Sequence, residues 1–174
     1  MKKSLSLAAS IISLLILQLL FLINSKSEEN NSKYYSNDNG VLSLMYHRFN
    51  ENKYPSTNIR MDIFDKQMKL IKELGFEFSD PKIFVNEFEK PKNKKKILIT
   101  IDDGFKSFYN EAWPYLKKNR IPFILFVSTE PVGKNGYMNW DEIREIDKSE
   151  FGNIGHHSHT HEYLVDFSKS EFVN

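Results

Sequence analysis

The sequence has no cysteine among its 174 residues and almost no net charge. Without cysteine, the chain can form neither disulfide bonds nor thiolate metal sites, and it has no cysteine nucleophile. Any metal ion must therefore be held by histidine, aspartate or glutamate. Lysine and arginine number 24 against 23 for aspartate and glutamate, a formal charge of +1. Such a balance creates no long-range field that gathers phosphates, so we expect no nucleic-acid partner.

The only long hydrophobic run extends from Leu5 to Ile23, after two lysines. As a helix it would rise about 28 Å, close to the roughly 30 Å of a bilayer's hydrocarbon core. We therefore expect residues 1–23 to be a signal peptide or an uncleaved membrane anchor, with a buried core helix as the alternative. The remainder would then lie outside the cytoplasm, membrane-anchored or secreted. Residues 24–40 are polar without periodicity, which predicts a linker.

From residue 41 onward, short apolar runs alternate with amphipathic segments. Strands are expected at 41–46, 97–101, 121–127 and about 153–155, and helices at 64–74, 80–88, 106–118 and 139–147. Asp62 is a possible cap of the first helix, Gly75 its stop, and Pro114 a possible kink in the third. The fourth helix starts at Asn139 or Asp141. Strand–helix alternation with short links predicts an α/β layer or barrel. In such folds, the chemistry lies at the carboxyl ends of the strands.

Asp102, Asp103 and Gly104 directly follow the strand expected at 97–101. Two adjacent carboxylates repel each other and lose hydration there, which a fold tolerates when a cation or a proton compensates. Gly104 allows the chain to turn sharply after them. The structural alternative is that one of the two aspartates simply caps the following helix.

Four of the five histidines lie within residues 156–161. His157 and His161 would be about 6 Å apart on one side of a turn, but roughly 13 Å apart on an extended strand. A turn or tight loop is therefore required if they share one ion. His156 and His159 need not point the same way, and we expect them to support the ligands or to have no role. The alternatives are an exposed histidine-rich loop and single histidines bonded in a core.

Two imidazoles and one carboxylate form a facial ligand set with open positions, which suits Zn²⁺ or another divalent first-row metal. The remaining aspartate, beside an activated water, can act as a general base. The reaction class that follows is hydrolysis of a polarised carbonyl. His47 follows the first strand and could either hydrogen-bond near this site or serve packing.

Five segments together carry a family resemblance: residues 44–48 (LMYHR), 100–105 (TIDDGF), 122–127 (PFILFV), 139–143 (NWDEI) and 157–161 (HSHTH). They resemble the polysaccharide deacetylase family, that is, the NodB-homology or carbohydrate esterase family 4 domain. The resemblance extends from about residue 42 to 167 in consistent order. It implies a distorted (β/α) barrel with a metal at the strand ends.

The resemblance also implies roles for individual residues. Asp102 matches the family's catalytic base and Asp103 its metal-binding aspartate, while His157 and His161 match its two metal-binding histidines. The implied substrates are N-acetylated glycans of the cell envelope or the extracellular space. Some relatives act on O-acetyl groups instead, so an O-acetyl esterase is an alternative.

The family's later motifs have no counterpart in this sequence. These are an arginine segment, a tryptophan-bearing loop, and a distal histidine that donates a proton to the leaving amine. About four strands are expected, where a closed barrel needs seven or eight. We therefore expect residues 41–174 to form the N-terminal part of a NodB-like deacetylase domain, a partial barrel. A further alternative is an inactive remnant that only binds metal or glycan.

Overall fold

The computed structural model describes residues 41–84 and 95–168. The strands are β1 (Val41–Tyr46), β2 (Arg48–Phe49), β3 (Asn58–Ile59), β4 (Glu77–Phe78), β5 (Lys96–Asp103), β6 (Phe123–Val127) and β7 (Gly152–His156). The helices are α1 (Met61–Glu73), α2 (Trp113–Lys118) and α3 (Trp140–Asp147); a π-helical segment (Phe108–Ala112) leads into α2, and a 3₁₀ turn (Leu164–Asp166) follows β7.

Three of the sequence predictions lie wholly or partly outside these ranges. The leader and linker at 1–40 are outside them, and the helix expected at 80–88 is described only as far as Phe84. Within the described ranges, no helix is both long enough and apolar enough to span a bilayer.

The main sheet is parallel throughout, with the strand order β1-β5-β6-β7 and β4 paired with the start of β5. The register sets Tyr46 beside Ile101, Asp103 beside Val127, and Val127 beside His156. The four long strands therefore end together at one side of the sheet, which we call the carboxyl edge. This is the α/β arrangement predicted from the alternating pattern, and the carboxyl edge is the place where such folds position chemistry.

One face of the sheet packs against the helices and forms the core. Neighbouring side chains of a strand point to opposite sides, so every second residue of β5 and β6 lies on this face. This face carries Ile99, Ile101, Phe123 and Leu125, all fully buried against the helices. The helices contribute a further set of buried apolar side chains to the same core: Phe64, Met68, Phe108, Leu116, Ile143 and Ile146. β5 is buried along nearly its whole length, as its doubly apolar sequence predicts for a central strand.

The start of α1 differs from the prediction. Asp62 is not the cap: the helix begins after Arg60, which provides no side-chain cap. Asp62 instead lies in the first turn, where its carboxylate accepts a hydrogen bond from Arg60 at 2.8 Å. Its negative charge also interacts favourably with the positive end of the helix dipole. The predicted stop is confirmed, because Gly75 follows the helix with a φ of 75°.

The helix predicted at 106–118 is not a single regular α-helix. It begins at Lys106 as predicted, but after 106–107 the segment Phe108–Ala112 is π-helical, and α-helical structure resumes at Trp113. Pro114 lies in the first turn of α2, where its missing N–H is tolerated. The predicted kink is thus a change of helix type immediately before the proline. Of the two predicted starts of α3, the structure selects Asn139, which caps the helix in a reciprocal pair with Glu142.

Candidate active site

Asp102 and Asp103, which we call the acidic pair, end β5 at a sharp change of chain direction. Asp102 is buried, at 7% exposure, and continues the face of the sheet opposite to the core. Asp103 and Gly104 both have left-handed backbone, with φ of 72° and 80°. Such a conformation is costly for aspartate, at about 1–3 kcal/mol, and is found where a site requires it. It turns the chain immediately, so both carboxylates stay at the carboxyl edge.

The helix-capping alternative for these aspartates is wrong. The helical segment begins at Lys106, directly after Phe105, so neither aspartate stands next to its first residue. Neither carboxylate accepts a hydrogen bond within the described residues, and Asp103 Oδ1 is buried without any hydrogen-bond partner there. A buried carboxylate oxygen in that state needs compensation by a cation or a proton.

The histidine segment forms a tight turn after β7, as required for two histidines to share an ion. His157 still donates its backbone N–H to Val127 O at 3.0 Å, which continues the pairing of β6 with β7. Ser158 and His161 then both have a φ of 60°. The Ser158 hydroxyl accepts the backbone N–H of His161 at 3.0 Å and closes the turn. The side chains of His157 and His161 consequently face each other.

Asp103, His157 and His161 converge on one point. Asp103 Oδ1 lies 3.4 Å from Nε2 of His157 and 3.4 Å from Nε2 of His161. The two histidine Nε2 atoms are 3.1 Å apart. A tetrahedral zinc ion with bonds of about 2.0–2.2 Å has ligand atoms about 3.4 Å from one another. The size of this triangle, its donor types and the partnerless Asp103 oxygen all fit a divalent metal site.

All four predicted site residues thus lie at the carboxyl edge, and three of them lie in one cluster. Asp102 stands next to this cluster without belonging to it. The cluster is half-open to solvent, since the side chain of His161 is 60% exposed and that of Asp103 18% exposed. The individual roles of the four residues remain predictions, but their spatial arrangement is the one those roles need.

The surroundings of Asp102 favour a proton-accepting carboxylate. Burial raises the pKa of Asp102 above its ordinary value, and the imidazoles of His157 and His47 oppose this shift. The negative charge of Asp103 raises the pKa further, and His161 lowers it. A carboxylate made more basic by burial is a better proton acceptor at neutral pH than an exposed one.

His47 belongs to this site, which sequence reasoning left undecided. Its Nε2 atom lies 4.0 Å from Asp102 Oδ2, and its side chain is 20% exposed. The available signal was positional: His47 directly follows β1, and β1 is the parallel neighbour of β5. Without knowledge of the strand order, the sequence could not place His47 beside Asp102.

The chain after β6 holds the histidine turn in place. Ser128 is 2% exposed and donates its hydroxyl to the backbone oxygen of His157 at 2.9 Å. Thr129 Oγ1 lies 2.8 Å from His159 Nδ1, and Glu130 N donates to His159 O at 2.9 Å. His159 therefore supports the turn. His156 does so as well, because its Nδ1 accepts the backbone N–H of Ser158 at 3.2 Å.

Two solvent-open cavities flank the acidic pair along the carboxyl edge. The larger, of about 520 Å³, is at the β7 end and includes His157 and His161 in its wall. The smaller, of about 180 Å³, is at the β1 end and includes His47. A bound molecule could therefore extend across the acidic pair in both directions.

A parallel α/β sheet with an aspartate–histidine–histidine cluster at its carboxyl edge, and a second carboxylate beside that cluster, defines an α/β domain with a candidate metal centre. Residues 89–174 match the family profile described as "Polysaccharide deacetylase". This match and the sheet, which has the architecture of the NodB-type deacetylase domain, support the assignment of the chain to this family. The resemblance carried by the sequence motifs is thereby confirmed.

Individual relatives agree with this assignment. A poly-beta-1,6-N-acetyl-D-glucosamine N-deacetylase of Staphylococcus epidermidis is 27% identical over 172 aligned positions, covering 87% of this chain and 60% of the relative. The solved structure of IcaB from Ammonifex degensii has a TM-score of 0.62 at 28% identity, covering 76% of this chain and 57% of that one. Streptococcus pyogenes deacetylase PplD in complex with acetate has a TM-score of 0.64 at 25% identity, covering 75% and 62%. This chain thus spans about three-fifths of each relative's length.

Proposed function

We propose that this protein hydrolyses N-acetyl groups on a polysaccharide, releasing acetate and leaving a free amine on the sugar. The observation that carries the proposal is the placement of Asp102 beside the Asp103–His157–His161 cluster. Further support comes from the names of the relatives, among which are a deacetylase of poly-N-acetylglucosamine and a deacetylase bound to acetate.

The metal that fits the cluster best is Zn²⁺, because one carboxylate and two imidazoles with open positions are typical of catalytic zinc. When bound, such a cation polarises a carbonyl oxygen and lowers the pKa of water. Asp103 Oδ1 and the two histidine Nε2 atoms would hold it. Asp102, close by but outside the cluster, would accept the proton of the attacking water.

His47 is the residue best placed to return a proton to the departing nitrogen. An amide nitrogen leaves poorly unless it is protonated, so the reaction needs a general acid as well as a base. The imidazole of His47 stands on the β1 side of Asp102, whereas the metal ligands from β7 stand on the other side. This position supplies the proton donor that the sequence motifs alone did not offer.

The cellular setting remains a proposal from the sequence. If residues 1–23 act as a signal or an anchor, the domain would be exported and would meet acetylated glycans of the envelope or the extracellular matrix. The same hydrophobic segment would then be its contact with the membrane. No nucleic-acid partner is proposed, because the charge balance offers no basic surface of that kind.

An acetate-release assay on N-acetylglucosamine oligomers tests the proposed function. The full chain should release acetate after zinc loading and lose this activity with a chelator. The Asp102→Asn variant should bind zinc as the wild type does, but it should release acetate about 10² to 10⁴ times more slowly. Full activity of Asp102→Asn would contradict its role as the base. Zinc and glycan binding without acetate release by the wild type would favour a binding protein instead, and release only from O-acetylated glycans would favour the esterase.

A further inference from the structure

The cavity beside His47 has a lining suited to a sugar ring. Met45 presents an apolar side chain that is 62% exposed. The lining also includes the exposed Ser56 and the half-buried Thr57 and Asn58, which carry hydroxyl and amide groups. Binding sites for small polar molecules combine an apolar surface with a few fixed polar groups in this way.

Ser56, Thr57 and Asn58 form what we call the polar wall of the cavity, and some of their hydroxyl and amide groups are free to bind a ligand. Asn58 Oδ1 accepts the backbone N–H of Glu51 at 2.8 Å, which leaves the Asn58 amide Nδ2 as a donor without a partner among the described residues. The Ser56 hydroxyl likewise has no partner within residues 41–84 and 95–168. Hydroxyl and amide groups such as these can donate to the oxygens of a sugar.

The wall is also held rigidly in place, which lowers the entropic cost of binding. β2 and β3 pair in parallel, with Arg48 beside Asn58, and Arg48 N donates to Thr57 O at 3.0 Å. The Glu51 carboxylate accepts from the Arg48 guanidinium at 2.9 Å and from the Ser107 hydroxyl at 2.6 Å. Segment 48–59 is therefore fastened to the helical segment that follows the acidic pair.

We propose that this cavity is a subsite for the sugar residue next to the one that is deacetylated. The inference rests on the proposed function. His47 belongs both to the cavity and to the surroundings of Asp102, so a ligand filling the cavity lies directly beside the reacting group. At about 180 Å³ the cavity is smaller than the roughly 300–1,000 Å³ of sites for drug-sized ligands, which suits a single ring.

The strand order defines the path that a polymer would take across the site. Along the carboxyl edge, the order is the β1 cavity, His47, Asp102, the metal cluster and the β7 cavity. A glycan lying along this edge would place one ring in the β1 cavity while an acetyl group meets the cluster. The protein would therefore prefer oligomers to the monosaccharide.

The test is binding and turnover of β-1,6-linked N-acetylglucosamine from monomer to pentamer. Binding is measured by calorimetry on the zinc-loaded Asp102→Asn chain, so that the oligomer is not consumed. Met45→Ala and Ser56→Ala, added to this background, should each weaken pentamer binding by several-fold to about tenfold and leave monomer binding unchanged. In the active chain, the same changes should raise KM for the pentamer and preserve kcat.

Leu42→Ala and Ser43→Ala are matched controls, since both residues are exposed on β1 and neither lines the cavity. Pentamer binding that is unchanged in Met45→Ala and Ser56→Ala, or weakened equally for monomer and pentamer, would overturn the subsite. Length-dependent binding that is lost in these two variants, in a wild type that releases no acetate, would support the subsite and contradict the proposed function.

Discussion

The Oδ1 atom of Asp103 lies 3.4 Å from Nε2 of His161 and has no hydrogen-bond partner within the described part of the chain. One residue ends β5, and the other closes the turn after β7. A buried carboxylate oxygen facing imidazole nitrogens without a donor is energetically unfavourable unless a cation occupies the space between them. This relationship is the main structural reason to expect a metal.

Asp103→Asn should therefore abolish tight zinc binding. The amide oxygen is a poorer ligand than a carboxylate, and loss of a direct ligand should cost more than the roughly 10–100-fold typical of residues behind the ligands. Zinc titration by calorimetry measures the affinity. Asp141→Asn, a change at an exposed aspartate in the first turn of α3, is the control. Unchanged zinc affinity in Asp103→Asn would show that the ion is held elsewhere.

His47→Gln should separate proton donation from metal binding. Glutamine keeps hydrogen-bonding groups but cannot donate a proton as an acid, so deacetylation of an N-acetylated oligomer should slow by about 10² to 10⁴ while zinc affinity is preserved. An aryl acetate, whose phenolate leaves without a proton, provides the internal control. The variant should hydrolyse this ester at close to the wild-type rate. Equal losses on both substrates would assign His47 a structural role only.

Ser128→Ala should destabilise the histidine turn by removing a buried hydrogen bond to its backbone. The buried hydroxyl of Ser128 donates to His157 O, and its loss leaves that oxygen without this donor. We expect the free energy of unfolding to fall by about 1–3 kcal/mol and zinc affinity to fall by about tenfold. Urea unfolding and zinc titration measure the two effects. Ser128→Thr retains the hydroxyl and should restore zinc affinity; failure of this rescue would mean that the hydrogen bond does not position His157.

Gly155→Ala should disturb the site by a steric route. A Cβ atom at Gly155 would lie 2.4 Å from Cδ1 of Phe126, the residue paired with it in β6. The Phe126 ring would have to move, and its centroid is 6.4 Å from that of His157. Overpacking of this kind costs about 1–3 kcal/mol in stability, and zinc affinity should also fall.

The compensating variant for this prediction is Phe126→Leu, which removes the ring that meets the new methyl group. Combined with Gly155→Ala, it should recover part of the lost thermal stability, measured as Tm by calorimetry. If Gly155→Ala alone leaves both Tm and zinc affinity at wild-type values, the close approach of Phe126 is not a constraint on the site.

Sequence reasoning was most successful where the signal was local. The apolar run that became β5 was recognisable as a central strand because both of its faces are hydrophobic. The start of α3 was recognisable to within two residues, at Asn139 or Asp141, and the structure selects Asn139. It failed at Asp62, because the N–H of Met61 at the start of α1 donates to Asn50 Oδ1 at 2.8 Å, a contact from outside the helix that no local pattern reveals.

The same distinction between local signals and long-range contacts applies to the candidate site. The sequence by itself determined the types of donor, the absence of thiolates and the need for a turn between His157 and His161, because these follow from composition and spacing. Tertiary structure alone decided that His47 stands beside Asp102, that neither aspartate caps a helix, and that Ser128 supports the histidine turn. These contacts join strands that are distant in the chain, and the pairing order of a parallel sheet is set by the packing of the whole core rather than by any local pattern.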